Sequence, residues 1–370
     1  MAWASFAVLS FVLALTTIWA GRAGTLRRND LNVVQAMHLR RTSRFGGLAV
    51  LVIFALGGLI GPTRGLPQIW EYLACVLPLF LVGIAEDAGW RVAPRWRLVA
   101  GICASLLAIL VYGTIIQRLG FSGLDFVLEQ RVVAIVLTVV ALTGVSQSFN
   151  LMDGLHGLCG FCAMIIAAAL AVISAKGGQG DVVQMLALMG AALVGFLVLN
   201  FPRGLLFLGD AGATAIGFIL SCIAVNMLQM QPDLSPWALV LVFFWPIADT
   251  ILTMARRMAR HRPPMKPDRM HFHHVVMRGF EILVLRKKHR ALSNPVATMI
   301  LMPFIAAPSV AGVLFWNADD VALMATVASA VLFVVSYRAI VRSAQRRQKI
   351  MLAGTRRADG KLHRPGARAK

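Results

Sequence analysis

Residues 70–91 read WEYLACVLPLFLVGIAEDAGWR, a long apolar run that ends on two adjacent carboxylates, Glu86 and Asp87. An ionised side chain at the edge of hydrocarbon is expensive, so acids in that place point to function. The pattern recurs in FNLMDGLHG (149–157) and NFPRGLLFLGDAG (200–212), and Asp249 also closes an apolar run. Hydrophobic residues make up 58% of the 370 positions, and only 14% are charged. The mean hydropathy of +0.75 lies outside the soluble globular range. A spanning helix needs about 20 apolar residues, and such runs recur along nearly the whole chain. The expected fold is therefore all-α, a polytopic helical membrane bundle. The short alternating segments of a membrane β-barrel are absent.

Eleven spans are expected, near 3–20, 45–61, 70–85, 98–117, 132–147, 158–175, 182–199, 211–230, 236–254, 295–315 and 321–340. All but Arg64, Arg118, Arg131 and Lys176 of the 36 Lys and Arg then fall in alternate loops and the tail. Cytoplasmic loops are enriched in these residues. The N-terminus is thus expected outside and the C-terminus in the cytoplasm, with every acidic motif on the cytoplasmic face. A catalytic domain is read over 1–340, with a cytoplasmic substrate loop at 255–294. A basic tail, disordered or amphipathic on the anionic leaflet, is read over 341–370. The net charge of +20 follows from this topology, so no nucleic-acid partner is expected. The five cysteines sit in apolar stretches and read as helix packing, the Cys159/Cys162 pair included.

Adjacent carboxylates at a helix end repel unless a cation lies near them, and a hard divalent ion shared with phosphates suits such a pair. Asn150, Asp153, Gly154, His156 and Gly157 supply oxygen ligands and close backbone approach. Asn200, Pro202 and Arg203 lead into Gly209, Asp210 and Gly212, at a helix start suited to anions. Between Asp249 and His274 lie Arg256, Arg257, Arg260, Arg269, His271 and His273. Zinc is disfavoured there because no further close ligand is visible. Phosphate binding by charge-assisted bonds fits better. Together these parts suit phosphoryl transfer, which relies on positioning and charge neutralisation.

From His38 to Gly279 the order and spacing of these motifs resemble the polyprenyl-phosphate N-acetylhexosamine-1-phosphate transferase superfamily. The likeness is to the bacterial enzymes that start cell-surface polysaccharides on undecaprenyl phosphate. Thr42-Ser43-Arg44-Phe45-Gly46-Gly47 is similar to the family's PTPRxGG, and Glu86-Asp87 to its paired aspartates. Asn150/Asp153-Gly154 is similar to NxxDGxDG, Gly209-Asp210-Ala211-Gly212 to GDxGS, and His271-Phe272-His273-His274 to HxHH. The resemblance implies attack by undecaprenyl phosphate on the β-phosphorus of a UDP-N-acetylhexosamine, releasing UMP. It implies Glu86, Asp87 and Asp153 as catalytic acids, and Asp87 and Asp210 as ligands for Mg²⁺, with Mn²⁺ as substitute. Arg44, Asn150, His156, Asn200, Arg269, His271, His273 and His274 would hold substrate. It implies a bacterial inner-membrane enzyme, multi-pass, with a homodimer as its assembly.

Departures mark this chain. Glu86 replaces the first Asp, and His156 replaces the second Asp of DGxDG. On that basis His156→Asp is expected to retain or increase activity. Asn32, Gln35, Arg41 and Ser43 also depart from the family pattern, which keeps a regulatory paralogue open. A secondary transporter and a lipid-phosphate hydrolase are the rivals from other classes. A transporter should place acids mid-span in paired broken helices.

Overall fold

The structure is a computed structural model that describes residues 2–22, 42–121, 123, 125–259, 270–285 and 290–362. Arg269 lies outside these residues, as do Asn32, Gln35, His38 and Arg41. Every regular element among the described residues is a helix, with a single bridge between Ser43 and Leu206. Thirteen α-helices follow in order: α1 (Ala2–Arg22), α2 (Gly46–Ile60), α3 (Pro67–Asp87), α4 (Pro94–Tyr112), α5 (Arg131–Met152), α6 (Leu158–Lys176), α7 (Gly180–Asn200), α8 (Gly209–Met230), α9 (Pro236–Val242), α10 (Phe244–Met258), α11 (Phe272–Phe280), α12 (Arg290–Leu314) and α13 (Asp319–Leu362). Nine of the described helices are long and apolar enough to cross a bilayer. All but the buried α8 expose apolar side chains such as Leu110, Val140 and Val198 along their length, as a lipid-facing surface requires. The chain is a multi-pass membrane protein.

The remaining two expected spans take other forms. Residues 46–60 make a helix of only 15 residues. The expected span at 236–254 is broken between α9 and α10 by an 80° bend. Pro246 explains the break: it has no N–H to offer the carbonyl of Val242, and its ring crowds that turn. The freed Val242 carbonyl instead accepts the Ser309 hydroxyl of α12 at 3.1 Å. The span expected at 98–117 ends early, at Tyr112, and the N–H of Ile116 goes to the Thr138 hydroxyl at 2.9 Å. The expected boundary near residue 340 falls inside α13, which runs on to Leu362.

The bundle is organised around α8, which is buried nearly end to end. It packs against α2, α3 and α5, while α7 packs against α1, α2 and α6. The helices alternate in direction, so α2, α4, α6 and α8 begin where α3, α5 and α7 end. At that end, Phe207 donates its N–H to the Ser43 carbonyl at 3.0 Å. Gly46 and Gly47 donate to the carbonyls of Phe207 and Leu208, each at 2.9 Å. The approach of α2 to α8 is backbone on backbone: a Cβ on Gly47 would lie 2.0 Å from Gly212 Cα. Glu86, Asp87, Asp153 and Asp210 all lie at this one end.

Candidate active site

The site is built on the exposed dipoles of a helix start. The first N–H groups of any α-helix have no partner within it and favour negative charge. On α8 two carboxylates from other helices take them. Asp153, just beyond α5, accepts the Gly209 N–H at 2.8 Å. Asp87, the last residue of α3, accepts Asp210 N–H at 3.0 Å and Ala211 N–H at 2.9 Å, one on each oxygen. Gly209 has φ +77°, and a side chain there would meet the Arg44 carbonyl and the Asp87 carboxylate. This requirement accounts for glycine in LGDAG. Asp87 and Asp210 therefore lie at the same end of the bundle, in direct contact.

Asp210 turns its carboxylate toward two guanidiniums, Arg97 at 3.1 Å and Arg44 at 3.7 Å. Arg97 also reaches Glu86 at 3.7 Å. Four carboxylates thus face two arginines, a local excess of negative charge. Burial pushes the Asp153 carboxyl up to about 7, against the opposing pull of the Gly209 N–H and Arg44. An all-oxygen donor set with surplus negative charge fits a hard divalent cation. Each carboxylate keeps lone pairs beyond those used by the helix. Arg97 carried no role in the sequence reading, yet it joins two of the motifs.

The turn after Asp153 is pinned from two sides. Asn200, at the end of α7, accepts the Gly157 N–H at 2.6 Å and donates to the Leu206 carbonyl. Its amide is buried and committed to backbone on both sides. Through these two bonds Asn200 shapes the loop. Asn150 lies one turn before Asp153, at the end of α5. His156 is held through its backbone, whose N–H reaches Asn294 Oδ1 at 2.6 Å and whose carbonyl accepts Thr298 at 2.8 Å. Its ring Nδ1 lies 2.8 Å from the Pro202 carbonyl, and Phe207 packs nearby.

A carbonyl is acceptor-only, so that His156 nitrogen must donate. An aspartate there could not donate and would set a carboxylate against a carbonyl. This reverses the sequence expectation for His156→Asp. That variant is expected to lose ~10-fold or more in activity, the scale of a hydrogen bond turned repulsive. His156→Asn, which can still donate, is expected to lose less. Parallel assays of the two variants check the order.

The histidine segment sits on Asp249 of α10. Asp249 Oδ1 accepts the Phe272 N–H at 2.8 Å, starting α11. Its Oδ2 lies 2.9 Å from His273 Nδ1 and 3.3 Å from His271 Nδ1. Among the described residues, this trio forms a group whose candidate metal-ligating atoms lie within 4.8 Å of one another. The sequence showed Asp249 as an acid in an apolar helix but gave no sign that it would meet histidines 22 and 24 positions on. Phe272 between them packs on Trp245, Phe333 and Tyr337. Arg256 donates to Tyr337 at 2.6 Å and to the Met270 carbonyl. His274 reaches the acidic end: its Nε2 would lie 3.8 Å from a Cβ on Gly154. Burial lowers the His273 ring's proton affinity and drives that of His274 down to about 2, so both rings are neutral at physiological pH.

Residues 69–228 match the family described as Glycosyl transferase family 4, a segment that holds Glu86, Asp87, Asn150, Asp153, Asn200 and Asp210. The chain is 28% identical over 336 residues to a protein of Mycolicibacterium smegmatis named decaprenyl-phosphate N-acetylglucosaminephosphotransferase. That match covers 83% of this chain and 80% of the relative. Proteins named undecaprenyl-phosphate alpha-N-acetylglucosaminyl 1-phosphate transferase match in Yersinia pestis and Escherichia coli K12. The first is 28% identical over 63% of this chain and 65% of its own length. The second is 29% identical over 58% and 59%. The chain thus spans less than two thirds of these two relatives. The chain is thus similar to the family described as Glycosyl transferase family 4 and to proteins named as polyprenyl-phosphate N-acetylglucosamine phosphotransferases.

Proposed function

We propose that this protein transfers an N-acetylhexosamine-1-phosphate from a UDP-sugar to undecaprenyl phosphate. The products are the polyprenyl-diphospho-sugar, which starts a cell-surface polysaccharide, and UMP. The observation that carries this reading is the convergence of Glu86, Asp87, Asp153 and Asp210 on one helix start, with His274 against the same turn. The bias of Lys and Arg toward one set of loops supports a site on the cytoplasmic face of a bacterial inner membrane, where UDP-sugars are available.

In this mechanism an oxygen of the lipid phosphate attacks the β-phosphorus of the donor. The bond between that phosphorus and the bridging oxygen breaks, and UMP leaves with the bridging oxygen. Glu86, held by Arg97, accepts any proton left on the attacking phosphate. Arg44 and Arg97 orient and neutralise phosphate oxygens by charge-assisted bonds. Asp210, with Asp87 and Asp153, would hold Mg²⁺ or Mn²⁺, which supplies further charge neutralisation on the phosphates. Asp87 and Asp153 also keep the helix start in place, so chemistry and scaffold share side chains. Asn150 and the histidine segment face the donor. Arg269 is proposed as a further phosphate contact from its motif alone.

The test combines purified protein, Mg²⁺, UDP-[³H]GlcNAc and undecaprenyl phosphate. Label that moves into the organic phase with stoichiometric UMP is expected, and EDTA should abolish it. Free phosphate as product would favour a hydrolase. Absence of turnover with every UDP-N-acetylhexosamine offered would favour a transporter or a regulatory paralogue.

A further inference from the structure

The histidine segment carries a feature that its motif does not specify. His273 and His274 are both buried, with ring centroids 4.2 Å apart, and each has one nitrogen without a protein hydrogen-bond partner. These atoms are His273 Nε2 and His274 Nδ1. A buried polar atom left unpaired is costly, so such a pair calls for a ligand group.

Which kind of group is decided at Asp249. An ionised carboxylate is acceptor-only, and Asp249 Oδ1 already accepts the Phe272 N–H. The His273 Nδ1 at 2.9 Å must therefore carry hydrogen, and the same carboxylate oxygen 3.3 Å from His271 Nδ1 favours hydrogen there too, with the Thr253 hydroxyl then accepting at 3.2 Å. In a neutral imidazole with Nδ1–H, Nε2 can only accept. A phosphate oxygen also only accepts, so it is the wrong complement for His273 Nε2. A hydroxyl or an N–H is the right one.

We infer that Asp249 is a positioning residue that locks His271 and His273 in the Nδ1–H form, so that His273 Nε2 receives a hydrogen bond from a hydroxyl or N–H of the sugar nucleotide. This rests on the transferase reading for the identity of the ligand, but not for the tautomers. It replaces the phosphate contact expected at His273 from the sequence. A metal among the same three residues fits less well. Zinc bonds of ~2.0–2.1 Å set tetrahedral ligand atoms ~3.3 Å apart, whereas Asp249 Oδ2 and His273 Nδ1 are 2.9 Å apart.

Two measurements test this. In the first, solid-state ¹⁵N spectra of histidine-labelled, substrate-free full-length protein are recorded, with His271 and His273 assigned by single His→Gln variants. A protonated Nδ1 and a bare Nε2 are expected at both rings. Asp249→Asn, which can donate as well as accept, is expected to move at least one ring to the Nε2–H form. Nε2–H in the wild type, or stoichiometric zinc that Asp249→Asn removes, would overturn the assignment. In the second, Asp249→Asn is expected to raise KM for the UDP-sugar ~10-fold, the scale of one hydrogen bond in a buried site. KM for undecaprenyl phosphate should stay put, and Asp249→Glu should restore part of the loss. A fall in kcat alone, or equal changes in both KM values, would reject the positioning role. A wild type that binds no nucleotide sugar while showing the expected tautomers would reject only the transferase reading.

Discussion

Asp87→Asn is expected to lower transfer by at least ~100-fold while the protein still inserts and purifies. The two Asp87 oxygens each accept one N–H from the start of α8. An asparagine has one acceptor oxygen and one NH₂, so one of these pairs becomes donor against donor. That mismatch costs about 1–3 kcal/mol in a buried setting. The lost charge comes in addition, because the carboxylate complements the helix dipole and contributes to the anionic cluster that attracts a cation. The structural share should appear as a lower melting temperature and the chemical share as a rate loss larger than the melt explains. Mg²⁺ titration of the variant checks the division: a weakened metal response is expected. Transfer near the wild-type rate would remove Asp87 from the chemistry.

The second large effect is expected from Gly47→Ala, a change of one methyl group. That methyl would lie 2.0 Å from Gly212 Cα and 2.7 Å from the Leu208 carbonyl. Both obstacles are backbone, so no rotamer change relieves them. Either α2 withdraws from α8 or the variant fails to fold, at a cost toward the upper end of overpacking, about 3 kcal/mol. Arg44 precedes this contact by three residues, so any withdrawal also carries its guanidinium away from Asp210. Loss of both thermal stability and transfer is expected. Gly144→Ala on α5, where a methyl meets nothing within 4 Å, is the control and should be neutral. Equal behaviour of the two variants would show that the close approach is not what holds this end together.

The spans and the acidic motifs were legible in the sequence because each is a property of one segment. A long apolar run declares its own burial, and an acid at its edge declares a cost that function must justify. The shared face of Asp87, Asp153 and Asp210 was also legible, since alternation of crossings and charge bias fix which ends lie together. What resisted reading depends on pairs. Asn200 appeared as a polar residue at a helix end, and only its two backbone partners reveal a structural clamp. His156 looked like a replaced acid among the substrate-holding residues until the Pro202 carbonyl showed which hydrogen it must donate. Asp249 and the histidines meet through the fold of α10 onto α11, which no local periodicity encodes. The bend before α10 had a visible cause in Pro246, but Ser309, the residue that makes it tolerable, is 63 positions away.

The bonds from Arg256 to the Tyr337 hydroxyl and to the Met270 carbonyl have a mechanical consequence. One guanidinium couples the tail of α10 and the residue ahead of the histidine segment to the last helix. A disturbance of α13 near Tyr337 would therefore be transmitted to His271 and its neighbours, so the far C-terminal helix becomes a lever on the histidines.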